Sequence, residues 1–270
     1  MSGNPAHFGG MKILATILLG GWLGGGAVSG AAADSIPLSG DHFPAQHGDV
    51  VVHPIHHATL ALSWNGHVIY VDPVGGARAF AGLPAPTLVL ITHEHFDHFN
   101  VETLLAVVPR GIPVVAPPSV ARQLPRRLRS QTRMLTNGQK AKVDGIPVEA
   151  VPAHNTTPER LIYHPSGRDN GYVLTLGGKR IYLSGDTEDI PEMRALKHID
   201  IAFVCMNLPY TMTVEQAAAA VRAFRPKVVY PYHYQGQPPT DLQRFKKLLA
   251  AESGIEVRLR DWYPGSSVSQ

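Results

Sequence analysis

The chain has 270 residues, 44% hydrophobic and 17% charged, with 24 Lys and Arg against 21 Asp and Glu. A formal charge of +3 without a basic tail or stripe does not imply nucleic acid as a partner. The single cysteine, Cys205, excludes an intramolecular disulfide, and its apolar run Ile201-Ala202-Phe203-Val204-Cys205 reads as a buried strand.

Residues 1–33 carry one charge, Lys12, ahead of a small and apolar run that ends in Ala31-Ala32-Ala33 before Asp34. This is the pattern of a secretory signal peptide cleaved after Ala33, with Met11-Lys12-Ile13-Leu14 as an alternative start to Met1. Glycines between Gly20 and Gly26 weaken the stretch as a spanning helix, and no basic stop signal follows. The expectation is a periplasmic or secreted protein with no stable membrane anchor after processing. Residues 34–270 are enough for one well-filled core, so a single domain is expected.

From Val50 to Val74 the chain reads as two strands around the hairpin signal Asn65-Gly66. Ala58, Leu60, Leu62 and Trp64 share one face, so His57 points to the other, where it could orient a ligand or meet substrate. The second strand ends in Asp72-Pro73. A carboxylate there could accept the outer N–H of a ligand histidine and fix its tautomer.

The apolar run Leu88-Val89-Leu90-Ile91 leads into Thr92-His93-Glu94-His95-Phe96-Asp97-His98. Residues two apart on an extended segment point the same way, so His93 and His95 can reach one cation. Asp97 and His98 continue where the chain turns away, and from there can reach a second cation or water beside the first. Asn100 can cap a short helix carrying Val101, Leu104, Leu105 and Val108, closed by Pro109.

Val114-Val115 is a short strand, and five arginines between Arg122 and Arg133 read as a solvated helix face, with an anionic substrate or lipid headgroup as the sharper alternative. Strands resume around Asn137-Gly138, and Val148 to Pro152 delivers His154 just beyond a strand end. A hairpin over Tyr172–Leu176 and Arg180–Leu183 exits through Ser184-Gly185-Asp186-Thr187. Thr213 and Gln216 form a capping-box pattern for a helix ended by Arg225-Pro226. The strand Val228-Val229-Tyr230 then presents Tyr232-His233-Tyr234, and a last helix from near Thr240 precedes an edge strand at Ile255–Leu259. Tyr210, Tyr232 and Tyr234 could donate to a substrate oxyanion. No internal repeat is visible by inspection.

Taken together, His93-x-His95-x-Asp97-His98, then His154, Asp186 and His233, each after a strand, resemble the metallo-β-lactamase superfamily. The Asp72-Pro73 turn, Ser184-Gly185-Asp186-Thr187 and Pro231-Tyr232-His233 look like its branch of ascorbate-phosphate lactonases and N-acylphosphatidylethanolamine phospholipase D. The resemblance implies an α/β fold, an αββα sandwich with a binuclear metal site at the sheet edge. It implies that His93, His95 and His154 hold one divalent ion, that Asp97, His98 and His233 hold the other, and that Asp186 bridges them.

Zinc is the metal expected, with manganese or iron as alternatives. The implied activity is hydrolysis of a small molecule, with a metal-bridging hydroxide attacking an ester, lactone or amide carbonyl and Asp97 or Asp186 moving the proton. The alternatives are phosphodiester or phospholipid hydrolysis at the same site and, from another class, an iron-dependent redox protein. Thr187-Glu188-Asp189 after the bridging position departs from many acyl-homoserine lactonases, and a bridging aspartate departs from the antibiotic-hydrolysing enzymes, so neither specialised activity is implied. The sequence leaves the oligomeric state open.

Overall fold

The computed structural model describes residues 37–264; the signal-peptide reading concerns residues outside them. Among the described residues the strands form two seven-stranded sheets. The first holds, in chain order, β1 (Asp41–Phe43), β2 (Val50–His56), β3 (Thr59–Trp64), β4 (His67–Val71), β5 (Leu88–Leu90), β6 (Val114–Ala116) and β7 (Thr132–Met134). The second holds β8 (Lys140–Val143), β9 (Ile146–Ala153), β10 (Asp169–Leu176), β11 (Lys179–Leu183), β12 (Ile201–Cys205), β13 (Val228–Tyr232) and β14 (Glu256–Val257). In each sheet the first four strands are antiparallel and the remainder join in parallel. The two halves thus repeat one topology that the sequence does not display.

Alternation along the strands builds the layers. In β4 and β5, Ile69, Val71, Leu88 and Leu90 face the core shared by the two sheets, where Val148, Tyr172, Leu174 and Ile181 meet them. Their neighbours Val68, Tyr70 and Val89 pack outward with Leu104, Val120 and Leu128. Those three residues come from the helices α1 (Val101–Val107), α2 (Pro118–Gln123) and α3 (Arg126–Arg129). The second sheet is covered by α4 (Pro191–Arg194), α5 (Val214–Phe224) and α6 (Leu242–Leu249), through Met193, Val221 and Phe245 among others. Burial on both faces explains why Leu88–Ile91 reads as a continuous apolar run. The architecture is the expected αββα sandwich.

Several details refine or correct the sequence reading. The segment read as one hairpin is three strands, because the chain breaks at His57, whose φ is +58°, beside an irregularity between Pro54 and His56. The Asn137-Gly138 turn links β7 of the first sheet to β8 of the second, with Asn137 Nδ2 donating to Asp169 O and Asn170 Oδ1, both at 2.8 Å. The last strand is only two residues long. Of the arginine cluster, Arg127 is not simply solvated: it donates to the carbonyls of Leu105 at 3.0 Å and Val108 at 2.5 Å, satisfying the end of α1.

Both halves of the capping box form on α5, with Thr213 Oγ1 accepting from Gln216 N at 3.1 Å and Gln216 Oε1 accepting from Thr213 N at 2.9 Å. Thr213→Ala is therefore expected to cost about 1 kcal/mol. Thermal unfolding should show it as a fall of about 2–4 °C in Tm, the scale for a domain of this size.

Candidate metal centre

All but one of the residues of the centre stand where a strand runs out; His164 comes from the loop between β9 and β10. After β5 the chain folds into a tight turn, with His98 N and Phe99 N both donating to His95 O at 2.9 and 2.8 Å. That turn sends the side chains of His93, His95, Asp97 and His98 to one side. After β11, Gly185 takes φ +59°, and a Cβ there would lie 2.9 Å from Asn170 O and 3.1 Å from Thr92 Cβ. Only glycine passes that gap without strain, and the next residue is Asp186. After β13, His233 itself adopts φ +46°.

The donor atoms fall into three groups that overlap through His93 and His98. His93, His95 and His164 form one, with potential ligand atoms within 4.8 Å of one another. His57, Asp97, His98 and His233 form a second on the same measure, and His93, His98 and Asp186 a third between them. Asp186 Oδ2 lies 3.4 Å from His164 Nε2, 3.4 Å from His233 Nε2 and 4.0 Å from His93 Nε2, while its Oδ1 lies 3.4 Å from His98 Nε2. Asp186 therefore faces both sides of the cluster.

Buried polar atoms are normally paired. Here His93 Nε2, His98 Nε2, His233 Nε2 and Asp186 Oδ1 are buried and converge without a hydrogen-bond partner. Imidazole nitrogens and carboxylate oxygens at this spacing are the donor set of a divalent cation, so the residues present fit a metal.

Two buried acids orient the rings from behind. Asp72 Oδ2 accepts from His98 Nδ1 at 2.8 Å, and the same carboxylate accepts from Thr92 N and Thr92 Oγ1, both at 2.7 Å. Asp169 Oδ2 accepts from His164 Nδ1 at 3.1 Å and is itself held by Arg168, whose Nε donates to Oδ1 at 2.7 Å. A proton fixed at Nδ1 leaves Nε2 free to face the cluster.

The charges push each other apart. Burial alone would raise Asp186, but His233 and His98 hold it well below the usual carboxylate range. Asp97 is likewise held low against its burial, by the imidazoles of His233 and His57 beside it. His93 is driven well down by burial and then by His98, and burial takes His57 down to about 4. Burial opposes the cation of His98, yet Asp186 and Asp72 raise it well above its ordinary value. Cys205 is buried and pushed up to about 12, first by burial and then by Asp186, which suits its role as packing.

The structure brings together His93, His95, Asp97, His98, Asp186 and His233 as read from the sequence, and replaces His154 by His164. At the end of β9, His154 N donates to Thr187 Oγ1 at 3.1 Å and its Nδ1 meets Asn155 O at 3.1 Å, so that ring is turned into the loop. The chain then doubles back, with Asn155 N donating to His164 O at 2.8 Å, which sets His164 beside the vacated strand end. The signal that could have found it is Asp169 five residues on, a carboxylate opening the next strand.

His57 joins the cluster, its Nε2 3.1 Å from Asp97 Oδ2. Of the candidate tyrosines, Tyr232 is buried with its hydroxyl accepting from Gly185 N at 3.0 Å, so it supports the turn instead of facing substrate. Tyr234 is committed to the C-terminal segment, donating to Arg260 O at 3.3 Å. Tyr210 is half-exposed and packs edge-on against Tyr163 at 4.9 Å between centroids.

A family model described as a beta-lactamase superfamily domain matches residues 67–234, which include every cluster residue except His57. A UPF0173 metal-dependent hydrolase of Thermococcus onnurineus is 31% identical over 199 residues, 70% of this chain and 88% of its own length. A crystal structure from Parabacteroides distasonis, designated a metal-dependent hydrolase, is similar with a TM-score of 0.74 and 42% identity, covering 82% of this chain and 98% of that one. Igni18, a metallo hydrolase of Ignicoccus hospitalis, shares the fold at a TM-score of 0.66 and 24% identity, over 80% of this chain and 96% of its own.

The loop that delivers His164 is anchored by Glu188, whose side chain is fully buried. It accepts from Thr156 N, Thr157 N and Thr157 Oγ1 at 2.6, 2.6 and 2.7 Å and from Arg160 Nη1 at 2.6 Å. Burial opposes its charge, but the Thr157 and Thr156 hydrogen bonds and Arg160 bring it down to about 2. A carboxylate depressed in the folded state contributes stability that is complete above its unfolded value of 4.5 and is lost as pH falls toward about 2. Glu188→Gln is expected to lower unfolding stability by about 3 kcal/mol at neutral pH. Denaturant titration of the variant across that window should also show a shallower acid loss than the wild type.

Proposed function

We propose that this chain, which belongs to the metallo-β-lactamase superfamily of metal-dependent hydrolases, cleaves an ester, lactone or amide bond of a small molecule at a centre of two divalent cations, most simply zinc. The observation that carries this reading is Asp186 standing between two separate groups of imidazole donors. His93, His95 and His164 would hold one ion, Asp97, His98 and His233 the other, and Asp186 would touch both. Bound ions supply Lewis-acid polarisation of the electrophile's oxygen and ionise water near neutral pH.

The remaining work belongs to the chain. Asp72 and Asp169 keep the protons of His98 and His164 at Nδ1, so both Nε2 atoms stay available. Asp186 is 3% exposed and Asp97 30%, which supports Asp97 over Asp186 as the carboxylate that takes a proton from the reacting water and passes it to solvent. A carbonyl substrate is favoured over a phosphodiester by the disposition of cationic side chains. Arg168 lies 3.4 Å from His95, but its guanidinium is engaged by Asp169 and faces Glu94 at 3.6 Å, leaving its charge already matched. The zinc-loaded and manganese-loaded proteins, assayed against ester, lactone, β-lactam and phosphodiester substrates, should turn over carbonyl substrates; activity confined to phosphodiesters would overturn the choice of bond.

We further propose export, with cleavage between Ala33 and Asp34; N-terminal sequencing of the protein from its native envelope should begin at Asp34. Asp186→Asn keeps the side chain's size but removes its charge and one acceptor oxygen. It is expected to lower turnover by more than about a hundredfold, the scale of one preorganised electrostatic group, and to reduce the bound metal. A variant with two ions and near wild-type turnover would show that Asp186 is not the bridge.

A further inference from the structure

His57 stands between β2 and β3, outside the matched residues 67–234, yet it is fixed from several directions. Its N–H donates to Trp262 O at 2.7 Å, and its carbonyl accepts from His233 N at 3.2 Å. Its ring lies against that of His233, with centroids 3.8 Å apart, and its Nδ1 is 2.9 Å from Tyr263 Oη. The backbone meets these demands at φ +58°, a left-handed conformation that strains a residue with a side chain. Such strain persists only where the surroundings over-determine it.

The result of these restraints is the position of one atom. His57 Nε2 lies 3.1 Å from Asp97 Oδ2, and His233 Nε2 lies 3.4 Å from the same oxygen. Bonds of about 2.1 Å to a tetrahedral cation set its ligands about 3.4 Å apart. The four donors His57, Asp97, His98 and His233 all lie within 4.8 Å of one another, close enough to surround a single ion.

We propose that His57 is a protein ligand of the cation on the Asp97 side, and that Tyr263, from the C-terminal segment, sets its ring for that task. This rests on the metal-centre reading above. Nε2 can lend its lone pair only when the ring proton sits at Nδ1, and the oxygen facing Nδ1 is that of Tyr263, which can accept it. Gln235 N donates to the same oxygen at 3.2 Å and holds it in place. The two ion sites are then unlike. The His93, His95 and His164 side is built from loops in the middle of the chain, whereas the Asp97 side also needs Trp262 and Tyr263.

The test is a zinc titration of the full chain in competition with a chromophoric chelator, with melting of the metal-free protein in parallel. His57→Ala is expected to weaken one binding step by more than about a hundredfold, and Tyr263→Phe to weaken the same step by about 10–100-fold, the effect of losing a partner that orients a ligand. Cobalt-loaded His57→Ala should also show altered d–d absorption at that site. If His57 only supports the fold, the metal-free variant melts lower while every Kd stays at the wild-type value, and the proposal is overturned. A wild type that takes up a single ion would defeat the binuclear reading, and His57 would still stand or fall on the affinity for that ion. Should His57→Ala fail to fold, His57→Gln and Tyr263→Phe carry the same titration, and unchanged constants in both would refute the assignment.

Discussion

Four imidazole nitrogens lie within 4.0 Å of the Asp186 carboxylate, which is 3% exposed, and the rest of the structure follows from the need to make that arrangement tolerable. Burying an ionised carboxylate is expensive unless charge and hydrogen bonds compensate it. Here compensation is incomplete without a cation, since His93 Nε2, His98 Nε2, His233 Nε2 and Asp186 Oδ1 converge with no partner. Metal binding and folding are therefore linked, because an ion that binds the assembled cluster and not the unfolded chain adds its binding free energy to stability.

Assembling donors from residues 57 to 233 requires elements that do not move relative to one another, and the two packed sheets supply them. Parallel strands place successive strand ends on one edge, so the loops after β5, β11 and β13 meet there. The core between the sheets fixes the distances between those ends. Positive φ at Asp72, His57 and His233 shows that the backbone accepts strain where the cluster is built.

Orientation is provided by a ring of supporting groups. Asp72 and Asp169 act from behind the rings of His98 and His164, and Glu188 ties down the loop that carries His164. Thr92, next to the first ligand, holds Asp72 by two hydrogen bonds. These residues lie far apart in sequence, so each support couples one part of the chain to another.

The sequence by itself determined the elements and most of the donors. The spacing of His93, His95, Asp97 and His98 on a strand exit reflects a local periodicity of two, and the Thr213 capping box and the Gly177-Gly178 hairpin are equally local. Only the tertiary structure could choose between His154 and His164. Both follow β9, and the choice depends on a loop that doubles back, held by the hydrogen bond from Asn155 N to His164 O and by those that Glu188 accepts. It also decided the place of His57, which local alternation assigned to a strand face. A left-handed turn and the distant Trp262 and Tyr263 carry it to Asp97. Local patterns set which way a side chain leaves its own element, while which donors share a site depends on where the loops after the strands close.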